Sequence, residues 1–310
     1  MASNRRKAYS LHQSPLYRLS SKRKLAELGI TAPKLIKLRQ SEGLYTEWDE
    51  VNEKGKKRHI ENPCPWLKRV QARIADLLNR IAPPKFLFCP AKGRSYISNA
   101  SQHAHSASVR ILDIKDYFPS TPSRRVYWFF HTRMECAPDI AGILTALSTF
   151  KGHLPTGSPL SPILSYYAYE DMWCAIDTIV CNAGCMLTVY VDDITISGPK
   201  VPEQLVWKVK KLIHRYDLRY HKERRYEAAI REVTGVIIRD GKLKLPNRQL
   251  LKSYELRQKI QEEADAGQQE ILHRKLQGHQ SQARQIAVES RRYPEVGSSS
   301  VGDLPRAETP

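Results

Sequence analysis

The sequence predicts an α+β fold, and three observations lead to it. Strand-like and helical segments follow one another in irregular order, which argues against a doubly wound parallel sheet. Residues 187–198, LTVYVDDITISG, alternate apolar and polar side chains around a central pair of acids, as a half-buried antiparallel hairpin does. Residues 66–82, WLKRVQARIADLLNRIA, carry apolar side chains at helical spacing and end before Pro83-Pro84.

Composition places the chain among globular proteins. Its 310 residues are 41% hydrophobic, which is enough for a substantial core divided among two or three subdomains. No segment approaches the roughly 20 apolar residues that span a bilayer, and the basic N-terminus lacks the apolar core of a secretory signal. The six cysteines have no paired spacing, so Cys181 and Cys185 are interpreted as reduced thiols. We therefore expect a cytoplasmic protein without membrane contact.

The charge of the chain points to a polyanionic partner. Fifty Lys and Arg side chains oppose 32 Asp and Glu side chains, for a formal net charge of +18. Cationic side chains bind phosphates through counterion release, whatever the nucleotide sequence. Nucleic acid is the expected partner, and a basic surface without a partner is the alternative.

The first half of the chain predicts elements in this order. Residues 1–45 form a basic, helical N-terminal extension with short amphipathic segments at 20–30 and 32–41. Residues 45–63 form a hairpin that turns at 53–56, and the helix at 66–82 follows. Residues 108–114, SVRILDI, form a buried strand that ends in an acid.

The second half predicts mostly helices. Residues 123–150 are mainly helical, and further helices are expected at 161–176 and 203–216. Two strands, EVTGVII and KLKLP, are predicted next, followed by two helices between about 247 and 290. From Arg291 onward the chain is polar and rich in Pro, Gly and Ser, and is expected to be disordered.

The adjacent acids Asp192 and Asp193 are placed at a predicted two-residue turn. Such turns favour glycine, which is absent here, so the tip is not optimised for folding. Sequences depart from local folding preferences mostly at functional sites. Two like charges side by side favour a bound cation, although an ordinary surface turn is the alternative.

Asp113 adds a third acid at the end of the strand at 108–114. A strand-end aspartate and a hairpin bearing aspartates can converge on two Mg²⁺ ions, which prefer hard oxygen ligands. Such a pair of ions supports in-line phosphoryl displacement. The alternative for Asp113 is a helix cap or a structural salt bridge. Between these acids, residues 155–159, PTGSP, predict a rigid loop that can approach a ligand closely.

Taken together, these segments resemble the reverse transcriptases. Residues 112–118, LDIKDYF, resemble motif A; residues 154–162, LPTGSPLSP, resemble motif B; and residues 190–193, YVDD, resemble motif C. The resemblance covers roughly residues 20–290 and implies a right-hand polymerase fold whose palm is an antiparallel sheet with the YVDD hairpin. The implied subdomains are fingers (46–105), palm (106–240, with motifs A to D and a fingers insertion at 123–155), helical thumb (241–290) and disordered tail (291–310).

The resemblance also implies roles for individual residues. Asp113, Asp192 and Asp193 would be catalytic and would hold the two Mg²⁺ ions, with Ile114 in the same metal site. Phe118 matches the aromatic steric gate that excludes a ribose 2′-hydroxyl.

Three more residues match positions that bind the incoming nucleotide. Arg58 resembles the fingers residue that grips the triphosphate, and Thr156 and Gly157 lie in the nucleotide-binding loop. Thr156 stands where family members often have Gln.

Two short signatures resemble the retron branch of this family. Residues 99–103, NASQH, match an N-A-x-x-H pattern through Asn99 and His103, and Val233, Thr234 and Gly235 match a V-T-G pattern. The resemblance implies that these five residues contribute to RNA binding.

Motif D departs from the usual pattern. Residues 219–226, RYHKERRY, offer His221 and Arg224 where the family usually has Asn and Lys. Arginine does not readily donate a proton, so the general acid for pyrophosphate is left open between Lys222 and Arg224.

A retron reverse transcriptase would copy part of its cognate non-coding RNA (msr-msd) into multicopy single-stranded DNA. Synthesis would start from a guanosine 2′-hydroxyl and consume dNTPs. The resemblance further implies a role in antiphage defence with a separate effector protein. The alternatives are another bacterial reverse transcriptase, of diversity-generating or group II-like type, and a non-catalytic RNA-binding ribonucleoprotein subunit.

Overall fold

A computed structural model describes residues 8–30, 43–51, 55, 57–227 and 230–292. Three predictions fall outside the described residues: the helical segment at 32–41, most of the turn at 53–56, and all but the first two residues of the tail at 291–310.

The chain divides into two compact units. One unit contains residues 1–99 and 106–228, and the other contains residues 100–105 and 229–310. The division into fingers, palm and thumb stays a prediction.

Helices form the larger part of the regular secondary structure in the described residues, and a 3-10 turn at Leu11–Gln13 precedes them. A π-helical segment, Phe129–Arg133, follows the fourth helix. The helices are α1 (Lys22–Glu27), α2 (Pro65–Leu78), α3 (Tyr96–Gln102), α4 (Ser123–Trp128), α5 (Pro138–Ser148), α6 (Ser161–Ala168), α7 (Glu170–Asn182), α8 (Glu203–Arg215), α9 (Asn247–Glu262) and α10 (Ala266–Arg292).

Ten strands form three sheets in the described residues: a pair β1-β2, a three-stranded sheet β10-β9-β8 and a five-stranded sheet β3-β5-β6-β4-β7. The strands are β1 (Tyr45–Val51), β2 (Lys57–Pro63), β3 (Leu87–Cys89), β4 (Ser108–Ile114), β5 (Met186–Tyr190), β6 (Asp193–Gly198), β7 (Tyr220–Tyr226), β8 (Ile230–Val233), β9 (Val236–Arg239) and β10 (Lys242–Lys244).

The five-stranded sheet carries the residues of interest. Its strands pair antiparallel except β3, which runs parallel to β5. The expectation of a purely antiparallel sheet is therefore wrong at this edge. Because β3 has only three residues, no alternating pattern in the sequence could reveal it.

The core of the first unit confirms the predicted amphipathic helix. Leu67, Ile74, Leu77 and Leu78 of α2 are each at most 1% exposed. They join the apolar residues of β4, β5 and β6 in one cluster. Burial of this stripe is worth about 1.5–3 kcal/mol per large side chain, so it holds α2 in the core, where it contacts α5, α6 and β2.

The helix predicted at 161–176 is interrupted, and Tyr169 separates α6 from α7. Tyr169 leaves the helical conformation (φ −126°, ψ 25°) and is fully buried. Its ring stacks on Tyr117, and its hydroxyl donates to the carbonyl of Ser120. Tertiary packing thus overrides a continuous helical pattern.

The second unit corrects the single strand predicted at 232–238. Thr234 and Gly235 both have positive φ (44° and 80°) and form a two-residue turn that joins β8 to β9. Positive φ at both turn positions is the pattern of a type I′ hairpin. The two predicted helices are present as α9 and α10. No helix in the described part of the chain is long and apolar enough to cross a membrane.

Candidate active site

The register of the central strands brings the three aspartates together. Asp113 on β4 lies directly opposite Asp193, the first residue of β6. The main-chain N–H of Ile114 donates to the carbonyl of Asp192 at 3.0 Å, which ties the hairpin tip to the end of β4. Residues separated by about eighty positions in the chain therefore meet at one end of the sheet.

The turn between β5 and β6 consists of Val191 and Asp192, one residue earlier than predicted, because Asp193 already pairs with Tyr190. Val191 has a φ of 59°, a conformation that is rare for a β-branched residue and typically costs 1–3 kcal/mol. Its N–H donates to the carbonyl of Cys89 at 3.3 Å. A strained turn held in this way is typical of functional sites.

Burial and repulsion make the acid pair costly without a cation. Burial raises the pKa of Asp192, and the nearby charge of Asp113 raises it further, while Arg58 and His221 partly oppose this. Burial, followed by repulsion from Asp192 and Asp113, raises the pKa of Asp193 to about 6. Three hard oxygen donors under mutual repulsion fit a divalent cation such as Mg²⁺. Ile114 could contribute only its main-chain carbonyl.

Two basic side chains from β7, a lysine and a histidine, lie against Asp113. Lys222 Nζ is 3.5 Å from Asp113 Oδ2, and His221 Nδ1 is 3.5 Å from Asp113 Oδ1. Consecutive residues reach the same carboxylate because β7 bulges here: Asp113 pairs with Lys222, whereas Ile114 pairs with Tyr220. Because β4 separates β7 from β6, Lys222 flanks Asp113 and does not lie between Asp113 and Asp193.

The segment after β4 is anchored by an aromatic side chain. Tyr117 is buried, donates to the carbonyl of Ser165 at 2.8 Å and accepts from Trp173 Nε1 at 3.1 Å. This anchor fixes the neighbouring Phe118, whose ring is half-buried against the core. Phe118 is thereby held just beyond the acidic strand end, and its role as a steric gate stays a prediction.

The predicted nucleotide loop is bonded to β2. The Thr156 hydroxyl donates to the carbonyl of His59 at 2.9 Å and accepts from the N–H of Glu61 at 3.0 Å. The Gly157 N–H donates to the Glu61 carbonyl, and a Cβ at Gly157 would lie 2.7 Å from that oxygen. Only glycine allows this approach. The Thr156 hydroxyl therefore holds the loop to the strand that carries Arg58, and nucleotide contacts here stay predicted.

Glu61 is a buried residue that the sequence interpretation missed. Its Oε1 lies 2.9 Å from His153 Nε2, and its Oε2 accepts from the Thr156 N–H at 3.3 Å. An acid in a polar strand carries no signal of burial, so only the tertiary structure reveals it. With Glu47 and His59 it places three potential metal ligands within 4.8 Å of one another, the one such group in the described residues.

That group is better explained by charge compensation than by a metal. Both Glu47 oxygens lie 2.8 Å from Lys151 Nζ, and His59 lies between Glu47 and Asp49. Each acid already has a cationic or hydrogen-bonding partner. The three aspartates at the sheet end are not gathered as tightly as this group.

The retron signature residues are mainly buried. The side chains of Asn99, His103 and Val233 are fully buried, so in this conformation they stabilise the chain and do not present a surface to RNA. Arg231, which sequence interpretation also missed, donates to the carbonyls of His103 and Ala104. Burial, with a smaller contribution from Arg231, lowers the pKa of His103 to about 3. The RNA-binding role of these residues, with Thr234 and Gly235, stays a prediction.

Carboxylates are thus gathered at a strand end and a strained hairpin, beside an aromatic side chain and a strand with basic side chains, an arrangement compatible with metal-assisted nucleotidyl transfer. Comparison with known families agrees. Residues 49–224, more than half of the chain, match the family described as reverse transcriptase (RNA-dependent DNA polymerase), and the chain belongs to that family.

Three proteins similar to this chain are retron reverse transcriptases. The chain is 30% identical to the retron Se72 reverse transcriptase of Salmonella heidelberg (strain 579083-10) over 167 residues, which are 53% of this chain and 44% of that protein. It is 28% identical to the retron Ec86 enzyme of Escherichia coli over 50% of this chain and 48% of that one. It is 25% identical to the retron Mx162 reverse transcriptase of Myxococcus xanthus, over 63% of this chain and 47% of that protein. The chain thus spans about half the length of these relatives.

Replacing Asp193 by Asn should stabilise the metal-free protein at pH 7.5. The pKa of Asp193 in the fold is about 6. Because this exceeds the value of an unfolded aspartate, the ionised group destabilises the fold above pH 6. Removing its charge should raise the free energy of unfolding by about 1–3 kcal/mol, as measured by urea denaturation in EDTA.

The gain should shrink as the pH falls from 6 to about 4, since both states then carry the proton. Asp240→Asn, at an exposed carboxylate outside the acid group, is the matched control and should change stability by less than about 0.5 kcal/mol. An Asp193→Asn variant no more stable than the wild type at pH 7.5 would show that burial and repulsion do not raise the pKa of Asp193 in the fold.

Proposed function

We propose that this chain is an RNA-directed DNA polymerase of the retron type, which copies part of a cognate non-coding RNA (msr-msd) into multicopy single-stranded DNA. The observation that carries the proposal is the acidic end of the sheet, where Asp113 lies opposite Asp193 and Ile114 bonds to Asp192. Membership of the reverse transcriptase family and the retron names of the relatives support the polymerase and its type.

Asp113, Asp192 and Asp193, with the Ile114 carbonyl, would hold two Mg²⁺ ions. Bound there, the ions would lower the pKa of the attacking hydroxyl and stabilise the leaving oxygen. The three carboxylates would thereby position the positive charge of the ions at the end of β4.

Arg58 and Phe118 would select the nucleotide. Arg58 is exposed on β2, and its charge acts on Asp192, so its guanidinium is available to a triphosphate near the acids. Phe118 would block a ribose 2′-hydroxyl, which favours dNTPs.

Lys222 is the better placed of the two proposed general acids. Its ammonium group reaches Asp113, and it can donate a proton to the pyrophosphate leaving group. Arg224 lies close enough for its charge to lower the pKa of Asp193, but a guanidinium holds its protons too tightly for this role. The regular register of β7 against β4 places Lys222 directly opposite Asp113.

Priming from a guanosine 2′-hydroxyl would join the DNA product to the RNA by a 2′,5′ bond. The partners are then the cognate RNA, its DNA product and dNTPs, in the cytoplasm. A separate effector protein and a role in antiphage defence, which the resemblance of the sequence to retron enzymes implies, complete the proposal.

The proposal is tested with the purified full chain, RNA transcribed from the DNA flanking its gene, labelled dNTPs and Mg²⁺. A labelled DNA resistant to alkali but joined to RNA through a 2′,5′ bond is expected. Extension only from an added DNA primer would favour a diversity-generating or group II-like enzyme. RNA binding without any extension would favour the non-catalytic ribonucleoprotein subunit.

Asp192→Asn should abolish DNA synthesis and leave RNA affinity within about two-fold, because the affinity arises from cationic side chains. Extension assays and filter binding measure the two properties separately. Asp177→Asn is the control and should retain both. A parallel loss of activity and RNA binding in Asp192→Asn would contradict a catalytic role.

Phe118→Ala should admit ribonucleotides by opening space beside the sugar. We expect the ratio of kcat/KM for dNTP over rNTP to fall roughly 10- to 100-fold. Phe118→Tyr keeps the ring and should keep the discrimination. An unchanged ratio in Phe118→Ala would exclude this residue as the gate.

Lys222→Ala should lower kcat by about 10² or more, the usual contribution of a general acid. Arg224→Ala should lower kcat by less than about ten-fold, since this change removes only a positive charge that acts on Asp193. Single-turnover nucleotide addition measures both. A larger loss at Arg224 than at Lys222 would reverse the assignment.

A further inference from the structure

Helix α8 covers the face of the five-stranded sheet that lies opposite the aspartates. Side chains alternate along β4, so Arg110 and Leu112 point to one face and Asp113 to the other. Arg110 pairs with Glu203 in the first turn of α8. On β7, Glu223 pairs with Lys210 of α8, whereas the neighbouring Lys222 contacts Asp113.

One side of α8 packs into the hydrophobic core. Leu205, Val206, Val209 and Ile213 are each at most 4% exposed and pack into the main hydrophobic cluster. The opposite side therefore points away from the sheet and from the catalytic acids.

That outward side combines an exposed indole with cations. Trp207 is 60% exposed, and Lys211 Nζ lies 4.9 Å from the centre of its ring. Lys208 and Arg215 are exposed on the same side, because positions four and seven apart share a helix face. After Glu203 the helix has no acidic residue.

Exposure of an indole does not by itself identify a binding surface, because a second tryptophan of this chain is also exposed. Trp48 on β1 is 45% exposed but stands between Glu47 and Asp49, and Glu50 follows. Acidic side chains therefore adjoin this indole in the chain, whereas cationic side chains follow Trp207. From Trp207 to the end of the helix every charged side chain is cationic, and Glu203, four residues before Trp207, is already paired with Arg110 and Arg225. Charge complementarity therefore selects a phosphate-bearing partner.

We propose that the outward face of α8 binds single-stranded RNA, with a base stacked on Trp207 and phosphates held by Lys208, Lys211 and Arg215. Aromatic rings bind unpaired bases by stacking, and basic side chains beside them follow the backbone. Trp207 to Arg215 spans about 12 Å of helix, which is room for a few nucleotides.

The proposal rests on the proposed function for the identity of the partner. Because α8 lies behind the sheet, RNA bound here is not the strand being copied at the acids. The surface would retain an uncopied part of the cognate RNA while another part serves as template.

The test measures binding of a labelled oligouridine of roughly 12–16 nucleotides to the full chain by fluorescence anisotropy. A saturating DNA–RNA primer–template is present to occupy the catalytic side. Trp207→Ala should weaken binding about 5- to 100-fold, and Trp207→Phe should restore most of it. Lys208→Gln with Lys211→Gln should reduce the slope of log affinity against log salt by about 1.4.

Matched controls separate this surface from general charge and folding effects. Trp48→Ala removes an exposed indole, and Lys22→Gln with Lys24→Gln removes two exposed charges from α1. Both should retain wild-type affinity, and every variant should keep the wild-type melting temperature, because Trp207 is exposed and contributes little to the core.

Unchanged oligouridine affinity in Trp207→Ala would overturn the proposal. A change in oligomeric mass by light scattering with unchanged RNA affinity would also overturn it and assign the surface to a protein partner. Extension of oligo(dT) on poly(rA) by the wild type is measured separately, so that failure of the polymerase function is distinguished from failure of this binding surface.

Discussion

Repulsion among three carboxylates is the constraint on which the acidic end of the sheet depends. The β4–β6 register places Asp113 opposite Asp193, and the Ile114–Asp192 hydrogen bond prevents the tip from moving away. The fold thus holds charges together that would separate if they were free. Only a surrounding structure of high stability tolerates this, together with the positive φ of Val191.

The basic side chains around the acids come from two elements. Arg58 is carried by β2, whereas His221 and Lys222 are consecutive residues of β7. None is buried against the acids: Lys222 is 52% exposed and makes only a 3.5 Å contact. Such loose pairs contribute little stability, and they can exchange a carboxylate for a phosphate at low cost.

Periodicity in the sequence predicted the elements that have one buried face, namely the α2 stripe, strand 108–114 and the two flanks of the YVDD turn. Periodicity did not predict the features of the structure that depend on tertiary contacts. Strand β7, YHKERRY, is an exposed edge strand without apolar alternation, so no pattern marked it. The one-residue shift of the turn depends on the Val191–Cys89 bond, and the burial of Glu61 depends on His153, neither of which is visible in a linear sequence.

The two-residue period of a strand also separates charges by role. Asp113 faces the cations of the catalytic side, while Arg110, three residues earlier, is buried and neutralised by Glu203 on the opposite side. Arg110 pairs with Glu203 and Glu223, whereas Asp113 pairs with His221 and Lys222, so each face of the sheet has its own set of ion pairs. The proposed RNA surface on α8 and the acids therefore depend on separate contacts, and a substitution of an exposed cation on α8 leaves the ion pairs of Asp113 intact.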